Sequence, residues 1–262
     1  MLDFLTFGTE KLQLFLLVSF RAAGLFIAAP IIGNNSVPQM VKVGLAIILA
    51  MIMVPVAGKS TILVVESVWV LAMLAFKEAL VGFIIGLFFS LLFIGIRMAG
   101  NIIGFQIGLM IANIMDPETN SNVSLAGEFW FIVATLIFLV IDGHHAIISA
   151  FRDSYHLVPV GYFNFTGGAG EMLIHYSAYT FVIAIKLAAP VIITLFLTTV
   201  ALGVVARTVP QMNIFIVGIP LKIGIGFLVM ATALPIFRFM IVKMIHFLDS
   251  EVGILLHSIG TA

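Results

Sequence analysis

Cysteine is absent from the 262 residues, which removes disulfides, thiolate zinc sites, iron–sulfur clusters and cysteine nucleophiles together. Charge is scarce as well. Only 9% of residues are Asp, Glu, Lys or Arg, against about a quarter in soluble domains, so the chain has too little ionised surface to face water on all sides. Twelve basic and twelve acidic residues cancel, and the lack of a basic excess to neutralise phosphates argues against nucleic acid as a partner. Apolar residues take up the remainder: 62% of the chain is hydrophobic and its mean hydropathy is +1.26. This is the composition of an all-α, polytopic membrane protein. The start, Met1-Leu2-Asp3 with Glu10 and Lys11 behind it, lacks a basic n-region. The apolar run that follows outlasts a signal-peptide core, so it is expected to be a structural helix and not a cleaved leader.

Apolar stretches alternate with short polar breaks, and the pattern predicts helices at Leu12–Ala29, Pro38–Val56, Ile62–Phe76, Ala79–Ile114, Ala126–Ile141, His145–Leu157, Met172–Ala206 and Ile214–Phe247. The breaks carry turn chemistry: Gly33-Asn34-Asn35-Ser36, Asp116-Pro117 and Thr166-Gly167-Gly168-Ala169-Gly170. Internal prolines (Pro30, Pro55, Pro190, Pro220, Pro235) predict broken helices, each losing one backbone bond. Charges fall in awkward places. Arg21, Lys77, Glu78, Arg97, Lys186, Lys222 and Arg238 lie in or beside apolar stretches, where a charge at mid-bilayer costs about 2.5–3.5 kcal/mol on insertion scales. Some belong to helix ends with snorkelling side chains, others to helices that face protein or water. Between Asp116 and Glu128 there are acids and no Lys or Arg, which places that loop outside the cytoplasm by the positive-inside rule.

Glycine spacing carries packing information. Gly100, Gly104 and Gly108 recur at intervals of four, as do Gly82 and Gly86. Such glycines line one helix face and let another backbone approach closely. Near the C-terminus Ile241, Ile245, Leu248, Val252, Leu255 and Ile259 form an a/d-type seam. It suits a helix lying at the membrane interface or one packed on a partner helix. Other motifs fail. Gly58-Lys59-Ser60-Thr61 imitates the end of a P-loop, but Met53 stands where the first glycine belongs. Asp142-Gly143-His144-His145 suggests a metal, yet adjacent helical residues point apart and no third ligand is spaced to converge, so no metal or cofactor is expected and Asp142 is read as a helix cap. Val-Pro-Gln-Met occurs at 37–40 and 209–212 with diverging flanks. No nucleophile–base pair is readable, so the chain is not expected to be an enzyme.

Four stretches do carry a family pattern: RAAGLFIAAPIIGNNSVPQMVKV at 21–43, RMAGNIIGFQIGLMIANIMDP at 97–117, FLVIDGHHAIISAFRDSYHLVPVG at 138–161 and PQMNIFIVGIP at 210–220. In order and spacing they resemble the FliR family of bacterial flagellar export-gate proteins, whose relatives occur in virulence injectisomes. The matching positions are Pro30, Pro38, Arg97, Gln106, Asp116, Pro117, Asp142, Gly143, His144, Pro159, Pro210, Gln211 and Pro220. The resemblance implies an inner-membrane subunit of the flagellar basal body, assembled with FliP-like and FliQ-like subunits and an FlhB-like switch protein. Unfolded secreted proteins would be its substrates. It further implies FliP-like helices over residues 1–170 followed by a FliQ-like C-terminal hairpin over 171–262. A pore plug would be formed by Phe105, Ile107, Leu109, Met110, Ile111, Ile114 and Met115, a bulky apolar set with adaptable methionines. The competing readings are an injectisome homologue and a secondary transporter for a small solute. The latter draws on the broken helices and intramembrane charges, but no ionisable cluster marks a coupling-ion site.

Overall fold

The computed structural model describes residues 2–34, 36–57, 65, 67–108, 124–164, 167–209, 211 and 213–260. Among them every regular element is a helix: α1 (Leu2–Ala28), α2 (Gln39–Ala57), α3 (Val68–Ile107), α4 (Leu125–Val140), α5 (Gly143–Leu157), α6 (Gly167–Thr208) and α7 (Ile214–Gly260). Among the described residues five helices are long and apolar enough to cross a membrane, or six spans if α4 and α5 together count as one. Helices α3, α6 and α7 run for 40, 42 and 47 residues, about twice the ~20 that a bilayer requires. The chain divides into two compact units, one made of Met1–Leu91, Asp142–Tyr176 and Ile245–Ala262, the other of Leu92–Ile141 and Ser177–Met244.

The first unit is built on backbone contact between α1 and α3. A side chain at Gly82 would collide with the Arg21 carbonyl, one at Gly86 would lie 2.6 Å from the Leu25 carbonyl oxygen, and Gly24 returns the contact against Ala79. The Ser90 hydroxyl donates to the Ala28 carbonyl at the end of this seam. The helix backbone that faces Gly82 and Gly86 is the chain's own α1.

At the same crossing lies a fully buried ion pair. Arg21 Nε donates to Glu78 Oε2 at 2.5 Å, with both side chains at zero exposure. The other guanidinium nitrogens donate to Ser154 Oγ and to the Val158 carbonyl, each at 3.0 Å. Glu78 Oε1 accepts from the Gly161 N–H at 2.8 Å, and the Tyr155 ring lies 4.3 Å from the guanidinium carbon. This pair corrects the predicted break at Lys77-Glu78. Helix α3 runs straight through that position, because the acid that interrupts the apolar pattern meets a base on α1.

Other features also depart from expectation. Helix α6 begins at Gly167, inside the stretch expected to be a glycine-rich loop, and Ala169 there is fully buried. Pro55, Pro190, Pro220 and Pro235 sit inside helices that continue through them; one missing N–H removes one bond of a long ladder and does not break it. Pro30 alone of the five lies past a helix end, just after Ala28. The C-terminal seam continues α7 to Gly260, and all six of its residues are buried. It packs on other helices of the same chain: Tyr176 Oη on α6 donates to Glu251 at 2.7 Å, the Asn164 N–H donates to the Ile259 carbonyl at 3.2 Å, and Gly260 meets the Leu157 carbonyl at the end of α5.

Removing one member of a buried ion pair strands the other without water. Glu78→Ala or Arg21→Ala is expected to cost about 3–5 kcal/mol, whereas the double variant Arg21→Met/Glu78→Leu recovers most of that loss. Melting of the detergent-solubilised protein checks this, and a double variant as unstable as the singles would count against it.

Candidate functional site

The second unit holds the C-terminal half of α3, which leads towards the expected plug. Gly95 packs on α6, where an added Cβ would be 3.1 Å from the Thr180 carbonyl oxygen. One turn and more further along, Gly100 meets the start of α4: a Cβ there would collide with Gly127 and lie 2.7 Å from the Ala126 carbonyl oxygen. At Gly104 the missing side chain's place is taken by Ser124 Oγ. Ser124 is the N-cap of α4, accepting from the Gly127 N–H at 3.3 Å and donating to the Gly100 carbonyl at 3.4 Å. A small N-cap followed by Ala126-Gly127 thus brings two helix backbones together. Arg97, on the exposed side of this crossing, lies over the Phe131 ring at 4.1 Å and 3.8 Å from Glu128. The ion pair is half-exposed and contributes little. The core beside it is aromatic, with Trp130 stacked on Phe237 at 3.7 Å and Phe93 edge-on to Phe138.

Helix α3 ends at Ile107, short of the predicted Ile114. Gly108 takes φ 93°, a left-handed conformation costly for any residue with a side chain, and its N–H donates to the Phe105 carbonyl at 3.1 Å. The third glycine of the spacing series therefore closes the helix instead of lining its face. Of the plug set, Phe105 is 70% exposed and Ile107 fully buried; Leu109, Met110, Ile111, Ile114 and Met115, with Asp116 and Pro117, lie outside the described residues. Ile107 is seated in a notch of α7, where a Cβ on Gly226 would lie 2.6 Å from its Cγ1. Neither Gly226 nor Ser124 stood out in the sequence: a lone glycine in an apolar helix and a lone serine before one are common, and their partners are remote in the chain.

The remaining motif positions are scattered. Pro30 is buried behind α1; Pro38 is exposed, its carbonyl accepting from Val41 and Lys42 at the start of α2. Gln106 is half-buried, Pro159 accepts from Tyr162 in the turn after α5, and Gln211 and Pro220 are exposed. Pro210 and Gly58-Lys59-Ser60-Thr61 lie outside the described residues. Asp142 occupies the N-cap position of α5, but its side chain makes no capping bond. Its φ of 57° turns the carboxylate instead to within 4.0 Å of His144 Nε2 and 3.9 Å of His145 Nδ1. The two imidazoles converge, with ring centres 4.4 Å apart. The expected divergence of adjacent residues fails here, in the first turn of α5 directly after the left-handed Asp142. Gly143, between Asp142 and His144, is buried.

An all-helical fold with long apolar helices, close glycine crossings and an inward-facing ion pair defines a polytopic membrane protein. Residues 12–248 match the family described as bacterial export proteins, family 1, and the chain belongs to that family. Its relatives carry the name flagellar biosynthetic protein FliR. That of Bacillus subtilis (strain 168) is 36% identical over 241 residues, 90% of this chain and 92% of the relative. That of Escherichia coli (strain K12) is 32% identical over 227 residues, 86% and 85% of the two chains. That of Aquifex aeolicus (strain VF5) is 31% identical over 229 residues, 87% and 88%.

The absence of native cysteine makes the notch testable without background. A Cβ on Gly226 would lie 3.7 Å from Ile107 Cβ, near the mean Cβ separation of a disulfide, about 3.8 Å. The Ile107→Cys/Gly226→Cys variant is expected to cross-link on mild oxidation, seen as a reducible mobility shift in a denaturing gel. Failure to cross-link while each thiol remains alkylatable would disprove the contact.

Proposed function

We propose that the chain is a subunit of the flagellar protein export gate in the bacterial inner membrane, at the basal body. It assembles there with FliP-like and FliQ-like subunits and an FlhB-like switch protein, and unfolded secreted proteins are the cargo. The carrying observation is the character of the exposed surface on α6 and α7. Phe181, Ile185, Ile193, Phe196 and Leu197 on α6, and Phe227, Leu228, Ile236 and Phe239 on α7, are all exposed. Lys186 and Arg238 are exposed among them. Helices twice the length of a bilayer span, apolar outside yet carrying cations, are poorly suited to lipid along their whole length. Apolar faces of that extent suit partner subunits of similar make.

Within such a gate, residues 1–170 serve as the FliP-like part and 171–262 as the FliQ-like hairpin. The segment after Gly108 serves as the plug. Ile107 in its α7 notch is the fixed base of that segment, and the bulky apolar residues that follow fill a constriction and exclude water.

Expressed with FliP-like and FliQ-like subunits, the chain is expected to fractionate with the inner membrane and to copurify with them in detergent, and to aggregate when expressed alone. A well-behaved monomer that moves a small solute in liposomes would favour the transporter reading.

For the plug, Met110→Gly/Ile111→Gly/Ile114→Gly is expected to leave assembly intact while cells become leaky to ions. Normal ion tightness with intact assembly would remove the plug assignment.

A further inference from the structure

The gate proposed above gives no role to the Asp142–His144–His145 cluster at the head of α5. Asp142 Oδ1, His144 Nε2 and His145 Nδ1 are mutually within 4.8 Å, and the two Asp–His edges measure 4.0 and 3.9 Å. Ligands around one ion, at bond lengths of about 2.0–2.2 Å, lie roughly 3–3.5 Å apart. Closing the two Asp–His edges therefore needs about 0.5–1 Å each, within the swing of exposed side chains. The carboxylate is free to take part because Asp142 makes no side-chain cap bond. His144 offers the right nitrogen, since its Nδ1 is buried without a hydrogen-bond partner and its Nε2 is the one turned to Asp142.

From this geometry we infer that Asp142, His144 and His145 form a binding site for a borderline divalent transition ion, of the Zn²⁺, Ni²⁺ or Co²⁺ type. Two imidazoles and one carboxylate suit these ions rather than Mg²⁺ or Ca²⁺, which prefer oxygen throughout. Waters complete the coordination sphere, because the three side chains are 44–69% exposed. Two features weaken the affinity. His144 Nδ1 has no acceptor to orient and enrich the ring, a support whose loss elsewhere costs 10–100-fold. The N-terminus of α5 also adds a positive partial charge close by.

The test uses the full chain with its copurifying subunits, without a polyhistidine tag, stripped by chelator and titrated with Co²⁺ and then Zn²⁺. The expected result is one equivalent of Co²⁺ per chain with a visible d–d spectrum, displaced by Zn²⁺. His144→Gln and His145→Gln should each weaken binding by tenfold or more. Asp142→Asn, which tolerates the left-handed backbone while removing the charge, should do the same. His175→Gln, on an exposed histidine of α6, should change nothing. The inference is overturned if no stoichiometric binding occurs, if either histidine variant weakens it less than threefold, or if His175→Gln weakens it equally.

Discussion

The Arg21–Glu78 pair is the constraint on which the first unit depends. An arginine and a glutamate at zero exposure are tolerable only if their polar atoms are matched, and here the partners come from four separate places. The guanidinium reaches Glu78 on α3, Ser154 on α5 and the Val158 carbonyl just beyond it, while the carboxylate also takes the Gly161 N–H. The backbone carbonyl of the same Arg21 rests on Gly82, one helical turn past Glu78. Charge pairing and backbone contact are thus set by a single residue. A slip of α1 along α3 would break both at once, since the glycines would meet side chains and the charges would lose their partners.

With that pair turned inward, the rest of the charge is left to the periphery. Arg21 and Glu78 are the only ionised side chains among the buried described residues. Lys186 and Arg238 point away from the chain's own packing, and Arg97 rests on an aromatic face at the surface. Among the described residues, the rest of each buried core is apolar contacts, aromatic edges and glycine crossings, with a few uncharged polar groups such as Ser124, Ser154 and Thr180.

What could be read from the sequence follows from how far apart the interacting residues are. Helix content and the Gly82/Gly86 and Gly100/Gly104 faces were legible because their pattern recurs every few residues. The C-terminal seam was legible as a seam, but its partner was not, since Tyr176 and Leu157 are distant in the chain. Lys77-Glu78 misled for the same reason: a charge in an apolar run reads as a break until Arg21, 57 positions earlier, is seen against it. The glycine cluster at 167–170 misled differently, because tertiary burial of Ala169 outweighed weak local helix propensity. At Asp142 the residue type fitted a cap, but the left-handed backbone redirected the carboxylate.

The crossing of α3 with α4 also holds itself together. The chain leaves α3 at Gly108 and re-enters the described fold at Ser124, which sits in the vacancy left by Gly104, one helical turn before the point of departure. Gly100 and Gly104 on one side, and Ser124 and Gly127 on the other, thus hold each other by direct contact. The meeting of the two helices does not rely on the peptide bonds between 108 and 124. A cut of the chain between those positions would leave both halves of the crossing with their partners in place.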